Sequence, residues 1–432
     1  MKHFLSDLIR VGISNLSIML FGIGTSVLTA RLLTPAENGD ISALLVYPSL
    51  FMVLGSLGIR QSTTYFVGKA IYPLEVIQKA VVQIWMITTL LCMVSCYVLI
   101  TYFTRHDYAA SSVWLAILSI PFSLYNTYSS GVFLGKNEIK NFNRINWIPN
   151  AVTFLATIGL LYYFQLRLDG ALLALLLGHV SIFMVLIFRD RFFSHLTLRM
   201  DMMVIKSMLS LGIVFALSLL VSQLNYKIDV ILLENMSSSY ELGIYTKGTS
   251  VVQYLWQIPM LFSTIIFARS AVSKDSLAFS KKVCQLLRIS LVLIGFLSLG
   301  IGLLAYPIIH LLFGSAFDES APVMQILLPG VVLLTVFKVM NMDLAGKGKP
   351  WISLKSMWFP LILNVVLNVL LIPRYGSVGA AMSSLVTYSL ASFFFLHFYS
   401  KETGIPVADI LRYQKSDWEP ILYLFQKLAK KQ

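Results

Sequence analysis

Long apolar runs follow one another along this chain, and short polar connections separate them. A helix needs about 20 apolar residues to cross the hydrocarbon core of a bilayer, and twelve runs approach or exceed that length. The predicted spans are residues 9–32, 40–66, 77–103, 111–134, 145–165, 170–188, 207–233, 241–268, 284–307, 319–345, 352–372 and 376–398. Because a segment in lipid must satisfy its own backbone amides, and the short alternating segments of a strand barrel are missing, the pattern predicts an all-α polytopic membrane protein.

The composition supports this class and excludes others. Of the 432 residues, 57% are apolar and only 12% are charged, and the mean hydropathy is +0.78, which excludes a soluble globular chain. The net charge of +13 comes from short basic clusters between apolar runs rather than from one patch, so nucleic acid is not an expected partner. The three cysteines lie in or at the edge of apolar runs, so we predict neither a disulfide framework nor a metal site.

Basic residues concentrate in every second connection between the predicted spans. Lys and Arg in short loops are retained on the cytoplasmic side of a membrane, so this alternation places both termini in the cytoplasm. The basic end of the chain carries four regularly spaced apolar side chains: Trp418, Leu422, Phe425 and Leu428. That spacing is typical of an amphipathic helix on the inner membrane surface, although a plain solvated end has a similar composition.

Two connections that lie six spans apart share a pattern. The first hairpin contains Glu37 and Gly39, and the connection between spans seven and eight contains Glu241 and Gly243 at the same spacing. Repeats with an even number of spans have the same orientation in the membrane, with a substrate path between them. We therefore predict a first lobe over residues 1–200, a second lobe over 201–400 and a cytoplasmic tail over 401–432. The alternative is a chance likeness, since Glu and Gly are common in loops.

Several segments are similar to those of a known family. The stretch from Thr29 to Gly39, TARLLTPAENG, is similar to the ARLLGPEEYG element that follows the first span of polysaccharide flippases, although Asn38 stands where an aromatic residue is usual. Further similar segments are Leu54–Ile59, Leu242–Tyr245, Leu311–Phe317 and Tyr375–Ala381. Their order along the chain resembles the Wzx-type flippases of the multidrug, oligosaccharidyl-lipid and polysaccharide exporter superfamily.

The resemblance implies both a fold and a function. It implies two six-helix lobes that form a V around a central cavity. It also implies that undecaprenyl-diphosphate-linked oligosaccharide repeat units move from the cytoplasmic to the periplasmic leaflet of a bacterial inner membrane, for a surface polysaccharide such as the O-antigen of lipopolysaccharide. The partners expected on this basis are that lipid-linked oligosaccharide, membrane lipid and, as candidates, a polysaccharide polymerase and a chain-length regulator.

Ionisable side chains inside spans are costly in lipid and usually face a water-filled path. This places Lys227, Asp229, Lys247 and Lys338 among the candidates for the cavity. Lys227 and Lys247 lie at similar depth on neighbouring spans, so we predict that they form a pair able to bind an anionic diphosphate. The alternative is that Asp229 or Glu241 neutralises one of these lysines. Lys338 either lines the cavity or extends toward the membrane surface.

Further polar and aromatic residues complete the predicted site. Arg60 follows the glycine-rich inner end of span two, where a diphosphate would arrive from the cytoplasmic leaflet. Amides at helical spacing suit sugar hydroxyls, and aromatic rings could stack on sugar faces, but both also hold helices together. These candidates are Gln223, Asn225, Gln253, Gln257, Asn364 and Asn368, with Tyr226, Tyr245, Tyr254 and Trp256.

Motifs of catalysis do not stand out in the sequence. It contains no Walker loop, metal-ligand cluster or nucleophile motif, so we expect no cofactor and a driving force from H⁺, Na⁺ or the substrate gradient. Short predicted outer connections argue against a membrane glycan polymerase or ligase. The remaining alternative is an ion-coupled multidrug or metabolite antiporter of the same superfamily. The internal cations outnumber the acids in the second lobe, which favours an anionic cargo over a cationic drug.

Overall fold

The computed structural model describes residues 2–104, 107–190, 192–197, 201–258, 266, 270, 273 and 275–418, with backbone alone for residues 2–13, 139, 140, 415 and 416. All regular structure in these residues is helical, so the predicted all-α class is confirmed. The first half has α1 (Lys2–Leu32), α2 (Pro35–Gly55), α3 (Ile59–Gly68), α4 (Leu74–Phe103), α5 (Ala110–Ile117), α6 (Ser119–Gly135), α7 (Ile139–Ile145), α8 (Ile148–Thr157), α9 (Arg167–Arg189) and α10 (Phe192–His195). The second half has α11 (Met202–Met236), α12 (Ser239–Leu255), α13 (Ser276–Leu303), α14 (Ala305–Phe313), α15 (Ser320–Gly346), α16 (Trp351–Thr403) and α17 (Val407–Leu411).

Nine helical segments of the described chain are long and apolar enough to cross a membrane. The other predicted spans also correspond to helices. Span four is divided between α5 and α6, and span eight begins as α12, with its predicted end near 268 outside the described residues. Spans eleven and twelve form the single long segment α16. The chain is therefore a multi-pass membrane protein, and each of the twelve predicted spans has a helical counterpart.

Two helix breaks have local causes in the sequence. Within α16, Gly376 has φ 52° and ψ −128°, a backbone conformation that glycine adopts without the steric cost of a Cβ. This break separates the two spans that the sequence predicts on either side of it. In span four, Pro121 has no N–H to donate to the carbonyl of Ile117, where α5 ends, and the helix restarts at Ser119.

The starts of α2 and α12 are built alike. Thr34 precedes α2, and its hydroxyl oxygen accepts a hydrogen bond from the backbone N–H of Glu37 at 3.3 Å. Ser238 precedes α12 and accepts from the N–H of Glu241, also at 3.3 Å. Each side chain satisfies a backbone donor that the first helical turn leaves free. The two helices therefore begin at corresponding points of the two halves.

These two helix starts pack directly against each other. A Cβ atom added at Gly39 would lie 1.9 Å from the carbonyl oxygen of Ser239, and one added at Gly243 would lie 1.9 Å from that of Pro35. Only glycine allows so close an approach of two backbones. Such a reciprocal contact is what an approximate two-fold axis between two repeats produces. We call this the outer end, because the charge pattern assigns these connections to the periplasm.

The two lobes also touch at the opposite end, which we call the inner end. There, a Cβ atom added at Gly212 of α11 would lie 2.2 Å from the carbonyl oxygen of Leu57, which precedes α3. Between the two ends, α2 packs along α11 and α12. In this structure the lobes therefore meet at both ends of the bundle, with α2 of the first lobe lying against the second.

Residues 404–418 fold back onto α13. The guanidinium of Arg288 donates to the carboxylate of Asp417 from Nε and Nη2, each at 2.7 Å, and to the carbonyl oxygens of Asp409 and Ile410. Both side chains of the ion pair are buried. These charge-assisted bonds hold the pKa of Asp417 below its ordinary value. The predicted amphipathic positions Leu422, Phe425 and Leu428 lie outside the described residues.

Candidate functional site

A cavity of about 190 Å³ lies between the two lobes. Helices α11, α12, α15 and α16 of the second lobe form most of its wall. The first lobe contributes three side chains from α2: Ser42, Leu45 and Val46. The cavity is therefore largely a property of the second lobe, and α2 covers it from the other side.

Lys227 supplies the positive charge in this wall. It lies on α11 among the lining residues and is half-buried. Within the described parts of the chain, its ammonium group forms no hydrogen bond or ion pair. An ammonium group held beside a cavity without a counter-charge attracts anionic ligands. The position of Lys227 is the one that the sequence predicts for an anion-binding residue.

Lys247 lies elsewhere, although it carries the same charge at a similar depth. Its ammonium donates to the carbonyl oxygen of Ser26 at 3.1 Å and to Oγ1 of Thr29 at 2.9 Å, both on α1. It is 7% exposed and is not among the residues that line the cavity. The structure therefore does not show the predicted cavity pair of Lys227 and Lys247. Lys247 instead joins the two lobes near the outer end.

The alternative in which an acid neutralises one lysine does not match the observed contacts either. Asp229 is fully buried, and its carboxylate accepts from Tyr245 Oη and Asn368 Nδ2, each at 2.7 Å, and from the hydroxyl of Ser384. Glu241 accepts from the backbone N–H of Ser377 at 2.8 Å. Both acids are thus held by neutral donors within the second lobe.

The asparagines of α16 complete the surroundings of Asp229. Asn368 donates to Asn364 Oδ1 at 3.0 Å, and Asn364 donates to Oγ1 of Thr387 at 3.2 Å. Oδ1 of Asn368 is buried and has no hydrogen-bond donor among the described residues. A buried carboxylate, a free amide oxygen and nearby hydroxyls form an oxygen-rich group of the kind that holds a proton or a small hard cation.

Lys338 neither lines the cavity nor extends to the membrane surface. Its ammonium lies 4.2 Å from the ring centroid of Tyr226 and 4.7 Å from that of Trp256. Both rings belong to the cavity wall, whereas Lys338 does not. The lysine therefore lies behind two aromatic rings, and cation–π attraction holds it there.

The remaining candidates divide between the wall and the helix contacts. Gln253 lines the cavity. Asn225 is buried and donates to the carbonyl oxygen of Met357 at 3.0 Å, a contact that joins α11 to α16. A Cβ atom added at Gly22 would lie 3.5 Å from Tyr254 Oη, so this tyrosine faces α1. Three further candidates lie outside the wall: Arg60, Gln223 and Gln257.

A row of hydroxyl groups was not predicted from the sequence. Thr246, Thr249 and Ser250 of α12 line the cavity beside Gln253, and Ser42 of α2 lies among them. The spacing of three and four residues on α12 places these polar side chains on one face of the helix. That spacing in a membrane-spanning helix was a readable signal. Tyr388 also lines the cavity, and its distance along the chain gave no such signal.

Sequence comparisons connect the chain with polysaccharide biosynthesis. The model of the polysaccharide biosynthesis protein family matches residues 28–322. The capsular polysaccharide biosynthesis protein CapF of Staphylococcus aureus is 24% identical over 387 residues, which cover 86% of this chain and 93% of that protein. Two shorter matches cover about a fifth of their relatives: an uncharacterized membrane protein, MJ1068, of Methanocaldococcus jannaschii, with 35% identity over 18% of its length, and a probable low-salt glycan biosynthesis flippase, Agl15, of Haloferax volcanii, with 27% identity over 22% of its length.

Solved transporter structures have the same fold. The lipid II flippase MurJ in an inward closed conformation matches with a TM-score of 0.77 and 13% identity, over 97% of this chain and 96% of that one. An inward-facing multidrug resistance transporter of the MATE family matches with a TM-score of 0.69 and 13% identity, over 91% of this chain and 98% of that one. At this level of identity the likeness concerns the fold, and it confirms the predicted arrangement of helices.

Proposed function

Because this chain belongs to the polysaccharide biosynthesis protein family, we propose that it is a flippase for undecaprenyl-diphosphate-linked oligosaccharide repeat units. It moves them from the cytoplasmic to the periplasmic leaflet of a bacterial inner membrane, by alternating access through the cavity between the lobes. Both termini lie in the cytoplasm. The polymerase and the chain-length regulator that would act on the flipped units are candidate partners, which crosslinking in the host would identify.

The observation that carries this proposal is the cavity with Lys227 in its wall. A sugar headgroup loses its bound water when it enters hydrocarbon, at a cost of several kcal/mol per unsatisfied polar group. A polar cavity inside the membrane removes that cost, and the isoprenoid tail can remain in lipid. The ammonium of Lys227 has no carboxylate partner among the described residues, so it is available for the diphosphate.

The contacts between the lobes fit an alternating-access cycle. At the outer end, Lys247 bonds to α1, and the hydroxyl of Ser239 donates to Asp40 of α2 at 2.6 Å. The guanidinium of Arg31 donates to three carbonyl oxygens at the end of α14, the shortest at 2.6 Å to Leu311. All of these bonds join the first lobe to the second. They break when the outer end opens, and the inner end then remains closed.

The group around Asp229 is where a coupling ion would bind. We propose that this carboxylate takes up H⁺ or Na⁺, with the free oxygen of Asn368 as a further ligand. Asp229 lies on α11 two residues from Lys227, so an ion bound there changes the charge beside the cavity. The dependence of export on the sodium and proton gradients tests this coupling.

An ion-coupled multidrug or metabolite antiporter is the second candidate, because a MATE transporter shares the fold. Such a protein exports organic cations through a site with acidic side chains. Here the ionisable side chain in the cavity wall is Lys227, and a cationic drug would be repelled by it. The charge of the wall therefore favours the flippase.

Deletion of the gene in its host tests the proposal directly. We expect surface polysaccharide to disappear, with lipid-linked repeat units trapped on the cytoplasmic face of the inner membrane. A plasmid carrying Lys227→Gln should restore export poorly, whereas Lys401→Gln, at an exposed lysine outside the cavity, should restore it fully. The amounts of both variants in the membrane are compared by immunoblot.

The same experiment identifies the alternative. Unchanged polysaccharide with increased sensitivity to cationic drugs in the deletion strain would replace the flippase by the antiporter. Normal export by Lys227→Gln would leave the flippase in place and remove the anion-binding role of this lysine.

A further inference from the structure

The cavity wall has an aromatic side that the diphosphate does not need. The rings of Tyr226, Trp256 and Tyr388 form a triangle with centroids 5.4 to 5.9 Å apart. All three line the cavity, and Lys338 holds two of them by cation–π contacts from behind. Flat rings fixed in this way present apolar faces to a ligand.

The other side of the wall consists of hydrogen-bond acceptors. The hydroxyls of Thr246, Thr249 and Ser250 each donate to a carbonyl oxygen of their own helix, at 3.2, 3.0 and 2.8 Å. Ser42 does the same on α2, at 2.8 Å to Asn38. Because each hydroxyl hydrogen is used within its helix, the oxygen lone pairs remain for a ligand.

These two sides suit a sugar ring and not a diphosphate. A pyranose has C–H groups on its faces, which pack on aromatic rings, and hydroxyl donors around its edge. A diphosphate offers acceptor oxygens alone, which a row of acceptors cannot bind. The wall thus separates two kinds of recognition, with Lys227 suited to the anion and the opposite sides suited to a carbohydrate.

The size of the cavity limits how much of the cargo it encloses. Its volume of about 190 Å³ lies below the ~300–1,000 Å³ of sites that enclose a drug-sized ligand. A whole lipid-linked oligosaccharide exceeds it by far. A single ring joined to a diphosphate is the part of the cargo that presents both required chemistries within a short distance.

On the basis of the proposed flippase function, we propose that this cavity selects cargo by the first sugar of the glycan, the one attached to the diphosphate. That sugar stacks on Tyr226 and Trp256 and donates its hydroxyl hydrogens to Thr246, Thr249 and Ser250. Lys338 is a positioning residue that holds the two rings. The sugars farther from the lipid extend out of the cavity and are not selected by it.

Binding to the full-length protein in lipid nanodiscs tests this inference with two probes. One probe is undecaprenyl diphosphate without sugar, and the other is the lipid-linked repeat unit extracted from the deletion strain. We expect the wild-type protein to bind the glycosylated lipid at least tenfold more tightly than the bare one. We also expect Lys227→Gln to weaken the binding of both probes to a similar extent.

Substitutions in the two sides of the wall should affect one probe alone. Trp256→Leu should lower affinity for the glycosylated lipid roughly tenfold, and Trp256→Phe should retain most of it, since a ring remains. Thr249→Val preserves the shape of the side chain and should lower it roughly three- to tenfold. Binding of the bare lipid should not change. Trp358→Leu, at a tryptophan that is 51% exposed, is the control.

The results separate this inference from the function on which it rests. If Trp256→Leu and Thr249→Val bind the glycosylated lipid as the wild type does, sugar selection by the cavity is wrong, while a deletion phenotype and an effect of Lys227→Gln would still support the flippase. If Trp256→Leu does not accumulate in the membrane, Thr249→Val decides the question alone. A wild-type protein that binds neither probe would overturn both proposals.

Discussion

At the scale of single residues, the direction of a side chain decides its role more than its charge does. Lys227 and Lys247 are both internal cations of the second lobe, yet Lys227 faces the cavity and Lys247 bonds to oxygens of α1. Asp229 lies close to Lys227 in the sequence and is held by neutral donors. The cation of the cavity and the buried acid therefore form separate groups, and each can change its ligand independently.

Replacement of Asp229 by Asn should uncouple export from the ion gradient. The amide cannot take up a proton or balance a sodium ion, and one of the donors around it loses its acceptor, at a cost of about 1–3 kcal/mol of stability. We expect the dependence of export on the sodium or proton gradient to be lost. Export of repeat units is measured in cells whose gradients are collapsed one at a time with a sodium ionophore or a protonophore.

Asp169→Asn is the matched control, because Asp169 in the first lobe also accepts from two hydroxyls, those of Ser111 and Ser112. It should keep the dependence of the wild type. If Asp229→Asn keeps it as well, the coupling ion binds elsewhere.

At the scale of helices, two glycine contacts define the ends of the interface between the lobes. Gly39 and Gly243 bring α2 and α12 together at the outer end, and Gly212 brings α11 against the residues before α3 at the inner end. These contacts join backbone to backbone, so no side chain can rotate away to make room. The two ends must therefore open by movement of whole helices.

A methyl group at either end should favour the opposite opening. In Gly39→Ala the new Cβ would lie 1.9 Å from a carbonyl oxygen, so the outer end cannot close, whereas Gly212→Ala prevents closure of the inner end. A reporter cysteine introduced as Ser250→Cys lines the cavity. We expect an impermeant thiol reagent in the periplasm to label it faster in Gly39→Ala and more slowly in Gly212→Ala.

Gly295→Ala serves as the control, because nothing lies within 4 Å of its added Cβ. The native cysteines, Cys92, Cys96 and Cys284, are buried, so their background labelling should be low. Equal labelling of the reporter in Gly39→Ala and Gly212→Ala would contradict the assignment of the two ends.

At the scale of the whole molecule, the two lobes are accompanied by a segment that is docked rather than free. Residues 404–418 return to α13, where Arg288 binds both Asp417 and backbone carbonyls. Because the pKa of Asp417 is lowered in the folded protein, its ion pair contributes stability above the ordinary pKa of aspartate. That contribution is lost as the pH falls through the lowered value. At cytoplasmic pH the segment should therefore stay docked.

Asp417→Asn should release this segment while the helices in the membrane remain folded. Removing one partner leaves Arg288 buried without its counter-charge, a loss of about 3–5 kcal/mol for the docked form. We expect faster tryptic cleavage after Arg412 in inside-out membrane vesicles, read by mass spectrometry. Asp409→Asn, at an exposed side chain, should be cleaved as the wild type is. Cleavage confined to right-side-out vesicles would contradict the cytoplasmic position of this end.

The helices could be predicted from the sequence because length and hydropathy are local properties. The break at Gly376 also has a local cause, and the spans on its two sides were separated correctly. The surroundings of Asp229 could not be predicted in this way, because Asn368 and Ser384 lie 139 and 155 residues away. The direction of Lys247 likewise depends on the position of α1, which no spacing along α12 determines.

The cavity wall comes almost entirely from one half of the chain, and the other half closes over it. Its determinants of cargo are therefore inherited together. A lineage that changes its surface glycan can adapt by substitutions in the second half alone, while the first half has to preserve only the surfaces that meet and part. Recombination near residue 200 between genes for different glycans would accordingly transfer the cargo preference as a unit, without breaking apart the residues that recognise it.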